Sequence, residues 1–588
     1  MREVESIPAY LLKQAEQQPE VAAVRYRKEG EWRTVTWSDY ATEVEQAGRA
    51  LISLGLEPMG KVCILGYNRP EWVIFDLAAM MAGGVPAGIY ETSSPEGVAY
   101  ILSHSEATIV LVENTIQLEK ILGERKSLPK LRQVILMKGA TSDDPMVLGW
   151  EEFLGRGDSV QLKELEERGE KIEPGDLATL IYTSGTTGPP KAVMLSHRNL
   201  IWTAQTAIDM FEITTEDSSL SYLPLSHIAE QMFTIHAPMI AGWKVDFAES
   251  QEKAAENLRD VQPTIFFGVP RVWEKVFAAV YPKLQDVGGA KKGLLSWARW
   301  VASKVHGVRN EGGEVGWGTR LQFGIARKLV LSKLKYAMGL GRARFCVTGA
   351  APISATVLEF FASVDIPILE VYGQSEGSGP TSFNRWGQTR YGSVGPPLPG
   401  TEVKTAEDGE ILLKGPNVFP GYFKDEAATA DTLVNRWLHS GDLGKFDEDG
   451  FLWITGRKKD IIVTSGGKNI APAYIEGLLQ DSDLVEQAIV IGDGRKYLTA
   501  LIVVDEQATG GDEGKKASGN KEILDQVQEE IARVNSRVSR VENIRKFRIL
   551  GRPLMQEKGE LTPTLKMVRH VIAENWVALI EEMYEEDN

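Results

Sequence analysis

Cysteine is nearly absent: 588 residues contain two, Cys63 and Cys346, each flanked by apolar neighbours. Two lone thiols provide neither a metal-ligand nor a redox spacing, and no disulfide framework can staple a chain of this length. Both read as buried strand residues in a reducing compartment. Positive charge is in deficit too, with 65 Lys and Arg against 81 Asp and Glu and a formal net charge of -16. Such a field repels nucleic acid unless a basic face is concentrated somewhere, and no such block stands out. Small anionic ligands remain compatible, because a cluster such as Arg457, Lys458 and Lys459 can act locally. The first residues lack an apolar signal core. The most apolar long run, residues 72–90, is punctuated by Asp76, Gly83, Gly84 and Pro86. It reads as a buried helix over about 73–82 followed by a strand, not as a membrane span. No fixed-period repeat is present. These absences lead to the expectation of a cytoplasmic protein with no transmembrane segment and no nucleic-acid partner.

What is present is globular material, 43% hydrophobic and 25% charged, which excludes disorder and fibre. A chain of 588 residues exceeds one compact core, so at least two domains are expected. Strand-like runs alternate with helical patterns at residues 61–66, 85–90, 108–112, 264–268 and 344–348. That alternation predicts α/β layers with largely parallel sheets. From about Gly392 the texture changes to short strands and tight turns, with a hairpin turn at Asp449-Gly450. Beyond Gly456 a basic patch leads into a helix–strand–helix region with an acidic end, and residues 508–520 read as a solvated loop or insertion. The expected organisation is a large N-terminal domain over 1–456, including a distorted β subdomain over about 392–456, and a small mobile α+β C-terminal domain over 457–588.

The most informative segment is residues 177–197. An apolar strand ends in Thr183-Ser184-Gly185-Thr186-Thr187-Gly188, and Lys191 opens a second strand. Small hydroxyl residues and glycines let backbone N–H and side-chain O–H groups converge on phosphate oxygens, and a lysine adds charge. The spacing is not that of the common P-loop, which places four residues between its glycines before a Lys-Ser/Thr pair. The alternative is a polar hairpin loop; six hydroxyl or glycine residues in a row between apolar strands argue against it.

Here the sequence resembles the adenylate-forming superfamily of acyl-CoA synthetases, luciferases and peptide-synthetase adenylation domains. Further matches in the family's order extend the resemblance over nearly the whole chain. Thr348-Gly349-Ala350-Ala351-Pro352 resembles its adenine-side turn, and Tyr372-Gly373-Gln374-Ser375-Glu376 its adenine-stacking and magnesium motif. Ser440-Gly441-Asp442-Leu443 resembles the ribose turn, Gly456-Arg457-Lys458-Lys459-Asp460 the hinge, and residues 559–566 the segment that carries the C-terminal catalytic lysine. The resemblance implies ATP, Mg2+ and coenzyme A, and a carboxylate that attacks the α-phosphorus of ATP. That nucleophile is already ionised, so the site needs positioning and charge neutralisation instead of a general base. By resemblance, Glu376 and Thr183 hold magnesium, the loop with Lys191 cradles the phosphates, and Lys566 sits by the α-phosphate. Asp442 accepts the ribose hydroxyls with Arg457 assisting, Tyr372 stacks on adenine, and Gly349, Ala350, Ala351, Glu370, Gly373 and Ser375 complete the nucleotide set. For the second half-reaction Lys459 matches a pivot that brings Ser465-Gly466-Gly467-Lys468 to the site, where glycines suit the slim pantetheine arm. Two positions depart from the pattern: Ala192 stands where glycine is usual, and Ser375 where threonine is more frequent. Without the order of motifs, Glu376, Asp442 and Lys566 would read as a loop carboxylate, a turn residue and a surface lysine.

Residues 88–92, 221–230, 263–274 and 561–566 look like the long-chain branch of the family, in particular its bubblegum subgroup. This implies a ligase that joins a long-chain fatty acid to coenzyme A. His227 reads two ways, as a group between the nucleotide and acyl pockets or as a packed structural histidine. Phe266, Phe267 and Gly268 are candidates for an apolar acyl tunnel and equally for core strand residues. Two rivals stand beside this reading: an acyl-AMP ligase that loads a carrier protein, and a fatty-acid binding or uptake protein with vestigial catalysis. Long-chain substrates partition into bilayers, which leaves peripheral membrane contact open, yet no basic amphipathic anchor stands out.

Overall fold

Runs rich in Val, Ile and Leu, bounded by glycine and proline, become the strands of three sheets in the first two-thirds of the chain. The computed structural model describes residues 6–139, 142–183, 189–482, 484–505, 519–562 and 566–585. The largest sheet has seven strands in the spatial order Val147–Gly149, Gln133–Leu136, Ile109–Val112, Lys61–Leu65, Val85–Ile89, Leu177–Thr183 and Lys191–Ser196. Neighbours run parallel except the last pair. Parallel strands are covered on both faces, which is why they read as continuous apolar runs and not as alternations. Cys63 is fully buried in this sheet and Cys346 in another, and burial pushes both thiols up to about 12, so neither supplies thiolate at neutral pH.

The apolar run at 72–90 divides as expected. Pro70–Met81 is a helix with Pro70 in its first turn and every residue except Glu71 buried, and Val85–Ile89 is a strand. A helix that is apolar all round is a buried helix, and this one packs against the helix Trp37–Ser53. Among the described residues no helix is long and apolar enough to cross a membrane.

A second sheet joins Ser218–Ser221, Lys244–Phe247, Ala22–Lys28 and Glu31–Thr36. The third joins Ile265–Gly268, Phe345–Thr348, Ile368–Gln374 and Gly379–Phe383. Its first three strands are parallel, and the register Gly268 with Thr348 and Thr348 with Glu370 brings their carboxyl ends to one edge. Ligand sites in such folds form at that edge. An antiparallel five-stranded sheet follows, built from Glu402–Thr405, Glu410–Lys414, Trp437–Phe446, Leu433–Val434 and Leu452–Arg457. Its last hairpin turns at Asp449-Gly450, with Gly450 at φ 82°.

After Arg457 the chain forms the two-stranded pair Ile462–Val463 and Asn469–Ile470. A three-stranded sheet of Val485–Ile491, Leu498–Val504 and Ile544–Ile549 follows, with helices packed on it. Among the described residues no apolar cluster mixes chain before Arg457 with chain after it. Most of the expected solvated loop at 508–520 lies outside the described residues.

Candidate active site

The strand Leu177–Thr183 and the strand Lys191–Ser196 are antiparallel, with Thr183 opposite Lys191. Ser184, Gly185, Thr186, Thr187 and Gly188, the expected phosphate cradle, lie outside the described residues. Thr183 closes the first strand with its hydroxyl 3.5 Å from the carbonyl of Lys191. Beside this pair runs the segment at 421–423: Met194 donates to Gly421 (3.1 Å) and Phe423 donates to Ala192 (2.9 Å). Ala192 is buried in an apolar cluster with Tyr182, so its methyl group faces protein.

That pairing delivers a residue that sequence reasoning missed. The Lys191 ammonium lies 4.9 Å from the centroid of the Tyr422 ring, and the Tyr422 hydroxyl donates to Glu376 Oε1 at 2.8 Å. Tyr422 therefore ties the loop lysine to the expected magnesium carboxylate. Burial and then the Glu376 charge push its phenol well above the usual range, so it remains a donor. Nothing near Tyr422 in the sequence signals this, because Glu376 is 46 residues away.

At the carboxyl edge of the third sheet, the backbone at Gly349 comes so close to Val371 that an added Cβ would lie 2.7 Å from Val371 Cγ1. Ala350 follows at φ 72°, a left-handed conformation that costs a non-glycine residue energy and often marks a functional turn. Ala350 and Ala351 are exposed. At Gly373 a Cβ would fall 1.7 Å from the carbonyl oxygen of Gly379, so no other residue fits this bulge. The bulge turns Tyr372 to donate to Asp442 Oδ2 at 2.8 Å, while Arg457 Nε lies 3.4 Å from Asp442 Oδ1. Burial raises the Asp442 carboxyl, opposed by Arg457, the Tyr372 hydroxyl and Lys566. Ser375 is buried, and Glu376 rides the short turn Ser375–Gly377. Glu370 lies beneath the edge: its buried carboxylate accepts from Gly392 N–H at 3.0 Å and sits 3.4 Å from Asn384 Nδ2, and burial pushes its pKa well up.

Lys566 arrives from the far end of the chain. Thr562 N–H donates to the Lys566 carbonyl (2.8 Å) and Lys566 N–H to the Thr562 hydroxyl (3.0 Å), which ties the two residues together. The nearby Glu560 anchors this part of the chain. Burial alone would raise this carboxyl, but the Arg552 fork at 2.6 and 2.7 Å, Met555 N–H and Asn575 hold it at about 2. Lys566 itself is exposed to solvent yet has many protein atoms around it. Burial and then Arg457 lower its pKa, and Asp442 and Glu376 oppose the shift. Within reach of the Lys566 charge stands His227, whose Nδ1 accepts from Ala229 N–H at 3.1 Å, leaving the proton to Nε2. Burial, then Lys566, hold it at about 4, so it is neutral at pH 7. Contacts and charge couplings thus link Lys191, Glu376, Asp442, Arg457, Lys566 and His227 in one neighbourhood, with Thr183 opposite Lys191.

Other expected residues lie apart. Ser465, Gly466, Gly467 and Lys468 form an exposed turn with Gly467 at φ 70°, and among the described residues its hydrogen bonds reach Thr464 and Arg495. Lys459 is exposed on the turn Lys458–Asp460. Phe266 packs between Tyr222 (5.5 Å) and Trp273 (5.4 Å), and Phe267 stacks on Phe233 (5.2 Å) on the opposite face of the strand. Gly268 lacks a Cβ where Trp273 Nε1 donates to its carbonyl at 2.9 Å. Among the described residues no cluster of three His, Cys, Asp or Glu exists to cage a metal. One carboxylate and one hydroxyl, Glu376 and Thr183, suit Mg2+, which takes few protein ligands and fills its shell with phosphate and water oxygens.

Solved structures share this fold along the whole chain. The anthranilate CoA ligase AuaEII in complex with anthranoyl-AMP matches with TM-score 0.73 over 98% of each chain at 19% identity. ATP-bound MatB from Rhodopseudomonas palustris matches with TM-score 0.72 over 98% of this chain and 99% of its own, at 21% identity. Residues 11–423 match the AMP-binding enzyme family and residues 459–588 the AMP-binding enzyme C-terminal domain. The chain belongs to the AMP-binding enzymes. It is 38% identical to the long-chain-fatty-acid–CoA ligase ACSBG2 of Gallus gallus, over 96% of this chain and 79% of that one. It is 34% identical to the long-chain-fatty-acid–CoA ligase FadD15 of Mycobacterium tuberculosis, over 100% and 98%.

Proposed function

We propose that the protein is an ATP-dependent long-chain fatty acid–CoA ligase that works through an acyl-adenylate. The observation that carries this reading is the convergence of Asp442, Arg457, Glu376 and a neutral His227 around Lys566. In the first step a carboxylate oxygen attacks the α-phosphorus and pyrophosphate leaves with the bonding pair. Lys566 neutralises charge spreading over the carboxylate and α-phosphate. Asp442 exchanges the Tyr372 hydroxyl for ribose hydroxyls, Tyr372 offers its ring to adenine, and Lys191 faces the phosphates. Mg2+, held by Glu376 and Thr183, would screen the phosphate charge. His227 stays neutral beside Lys566 and does not compete for the anions.

In the second step the thiol of coenzyme A attacks the acyl carbonyl and AMP leaves. The adenylation lysine and the exposed 465–468 turn occupy different places, which supports a C-terminal domain from residue 457 that pivots at Lys459 between the two steps. The acyl chain runs from His227 toward Phe267 and Gly268, with Phe266 behind them in the core. We place the enzyme in the cytoplasm with peripheral access to membranes, where its substrate dissolves.

The test is thioester formation with ATP, Mg2+ and coenzyme A across fatty acids from short to very long. An optimum at long chains with release of AMP and pyrophosphate is expected. Pyrophosphate without thioester would favour a carrier-protein acceptor, and silence with every acid would sink the reading. Lys566→Ala should lower adenylate formation on the order of hundredfold or more and spare thioester formation from preformed adenylate. Equal loss of both steps would count against the pivot.

A further inference from the structure

Between the strands Ile265–Gly268 and Phe345–Thr348 the chain makes a long helical excursion. The helix Gly289–Asn310 is followed by Trp317–Ala326, which continues through a π-turn at Arg327–Leu331 into Ser332–Ala337. The inner side is firmly anchored. Ala298, Val301, Val305, Phe323, Ala326 and Leu331 form one buried cluster, and His306 (2.9 Å) and Arg327 (2.7 Å) both bond Asp365.

The outer side is also apolar, and it faces solvent. Trp317, Leu321, Ile325 and Leu329 recur at every fourth residue and are all exposed, Trp317 at 81%. Residues four apart share a helix face, and the extra residue of a π-turn sets back the drift that such steps accumulate. Trp300 and Leu294 on the first helix are exposed as well. A large exposed apolar stripe marks an interaction site.

Charge selects the partner. Residues 289–337 hold ten Lys and Arg against two Asp and Glu, an excess of eight positive charges in a protein of net charge -16. Lys291, Lys292, Lys304, Lys328 and Lys333 are exposed. A second copy of the chain would bring the same excess to the same face and be repelled. Apolar side chains, tryptophan among them, flanked by lysines suit an anionic lipid interface. The acidic remainder of the molecule would be turned away from that interface. We propose that this helical pair docks the protein on anionic phospholipid bilayers, with the line from Trp317 to Leu329 in the interface. The proposal deepens the long-chain reading, since such an acid is drawn from a bilayer. The sequence hid the anchor because the second helix is apolar on both sides, and only tertiary burial tells Phe323 from Leu321.

The experiment is co-sedimentation of the full chain, without ATP or coenzyme A, with vesicles of phosphatidylcholine alone or mixed with phosphatidylglycerol. Binding to the mixed vesicles, weakened by salt, is expected. Replacing Trp317, Leu321, Ile325 and Leu329 by polar residues should cost on the order of hundredfold in partition. Lys328→Ala and Lys333→Ala should each cost about fivefold with unchanged thermal unfolding, which keeps the test valid if the four-residue variant folds poorly. Wild-type protein left in the supernatant with both vesicles, or lysine variants that sediment like wild type, would overturn the proposal. So would a wild-type dimer that the four-residue variant converts to monomer. Vesicle binding without ligase activity would leave the surface standing and remove the functional reading; activity without binding would do the reverse.

Discussion

Tyr422 stands between two opposite charges, Lys191 and Glu376. Its hydroxyl holds Glu376 Oε1 while its ring meets the Lys191 ammonium. Tyr422→Phe keeps the ring and removes only the hydrogen bond to a carboxylate, a contact whose loss costs about tenfold. Adenylate formation should fall by that factor, and the Mg2+ concentration for half-maximal rate should rise. An unchanged Mg2+ requirement would show that Glu376 needs no such support. Lys566 gives a second expectation at this scale. Its pKa is lowered by burial and by Arg457, so it loses its proton at lower pH than free lysine, at about 10.4. As a cation it acts below its pKa, so kcat/KM for ATP should decline on an alkaline limb that sets in earlier than free lysine would dictate. Thioester formation from preformed adenylate should lack that limb.

Among the elements, the helix Pro70–Met81 illustrates how far pattern carries and where it stops. An apolar run broken by Gly83 and Gly84 predicts a helix at 73–82 and a strand after it, and the observed bounds differ by a turn at the start because Pro70 opens the helix. The cost hidden in it is invisible to pattern. Among the described residues neither buried Asp76 oxygen has a hydrogen-bond partner, and burial raises that carboxyl well above its usual value. A raised folded-state pKa contributes stability fully present below the unfolded pKa of about 3.9 and progressively lost as pH rises toward the folded value. Asp76→Asn removes the ionisation, so its stability relative to wild type in urea unfolding should grow as pH rises above the unfolded value of about 3.9. A constant difference would mean that Asp76 is not ionisation-limited. The segment that carries Lys566 makes the same point. Its motif was legible, but the anchoring of Glu560 by Arg552 depends on a buried pocket that no local spacing encodes.

For the whole molecule, the C-terminal part meets the rest of the chain through polar contacts: Lys458 pairs with Asp408 and Glu410, and Arg457 lies beside Asp442. Arg271 pairs with Glu486 across the two parts, and no apolar cluster among the described residues spans them. Such interfaces separate readily. Arg271→Ala should lower adenylate formation up to about fivefold, the range of a partly exposed pair. Thioester formation from preformed adenylate should hold steady or rise. A fall in both steps would place Arg271 in the acyl site instead of at the interface.

The sequence alone determined the family, the α/β layers, the order of the motifs and most strands, because apolar runs, punctuating glycines and short motifs are local signals. It also singled out Glu376, Asp442 and Lys566 as candidates, through the order and resemblance of the short motifs that carry them. Tertiary structure decided what those residues face. It set Tyr422 between Lys191 and Glu376, put Glu370 under the carboxyl edge of the third sheet, packed Phe266 into an aromatic core, and turned one of two apolar sides of the second helix of the excursion toward solvent. These outcomes depend on contacts between residues tens or hundreds of positions apart, where burial and charge act through space and the sequence holds no record of distance.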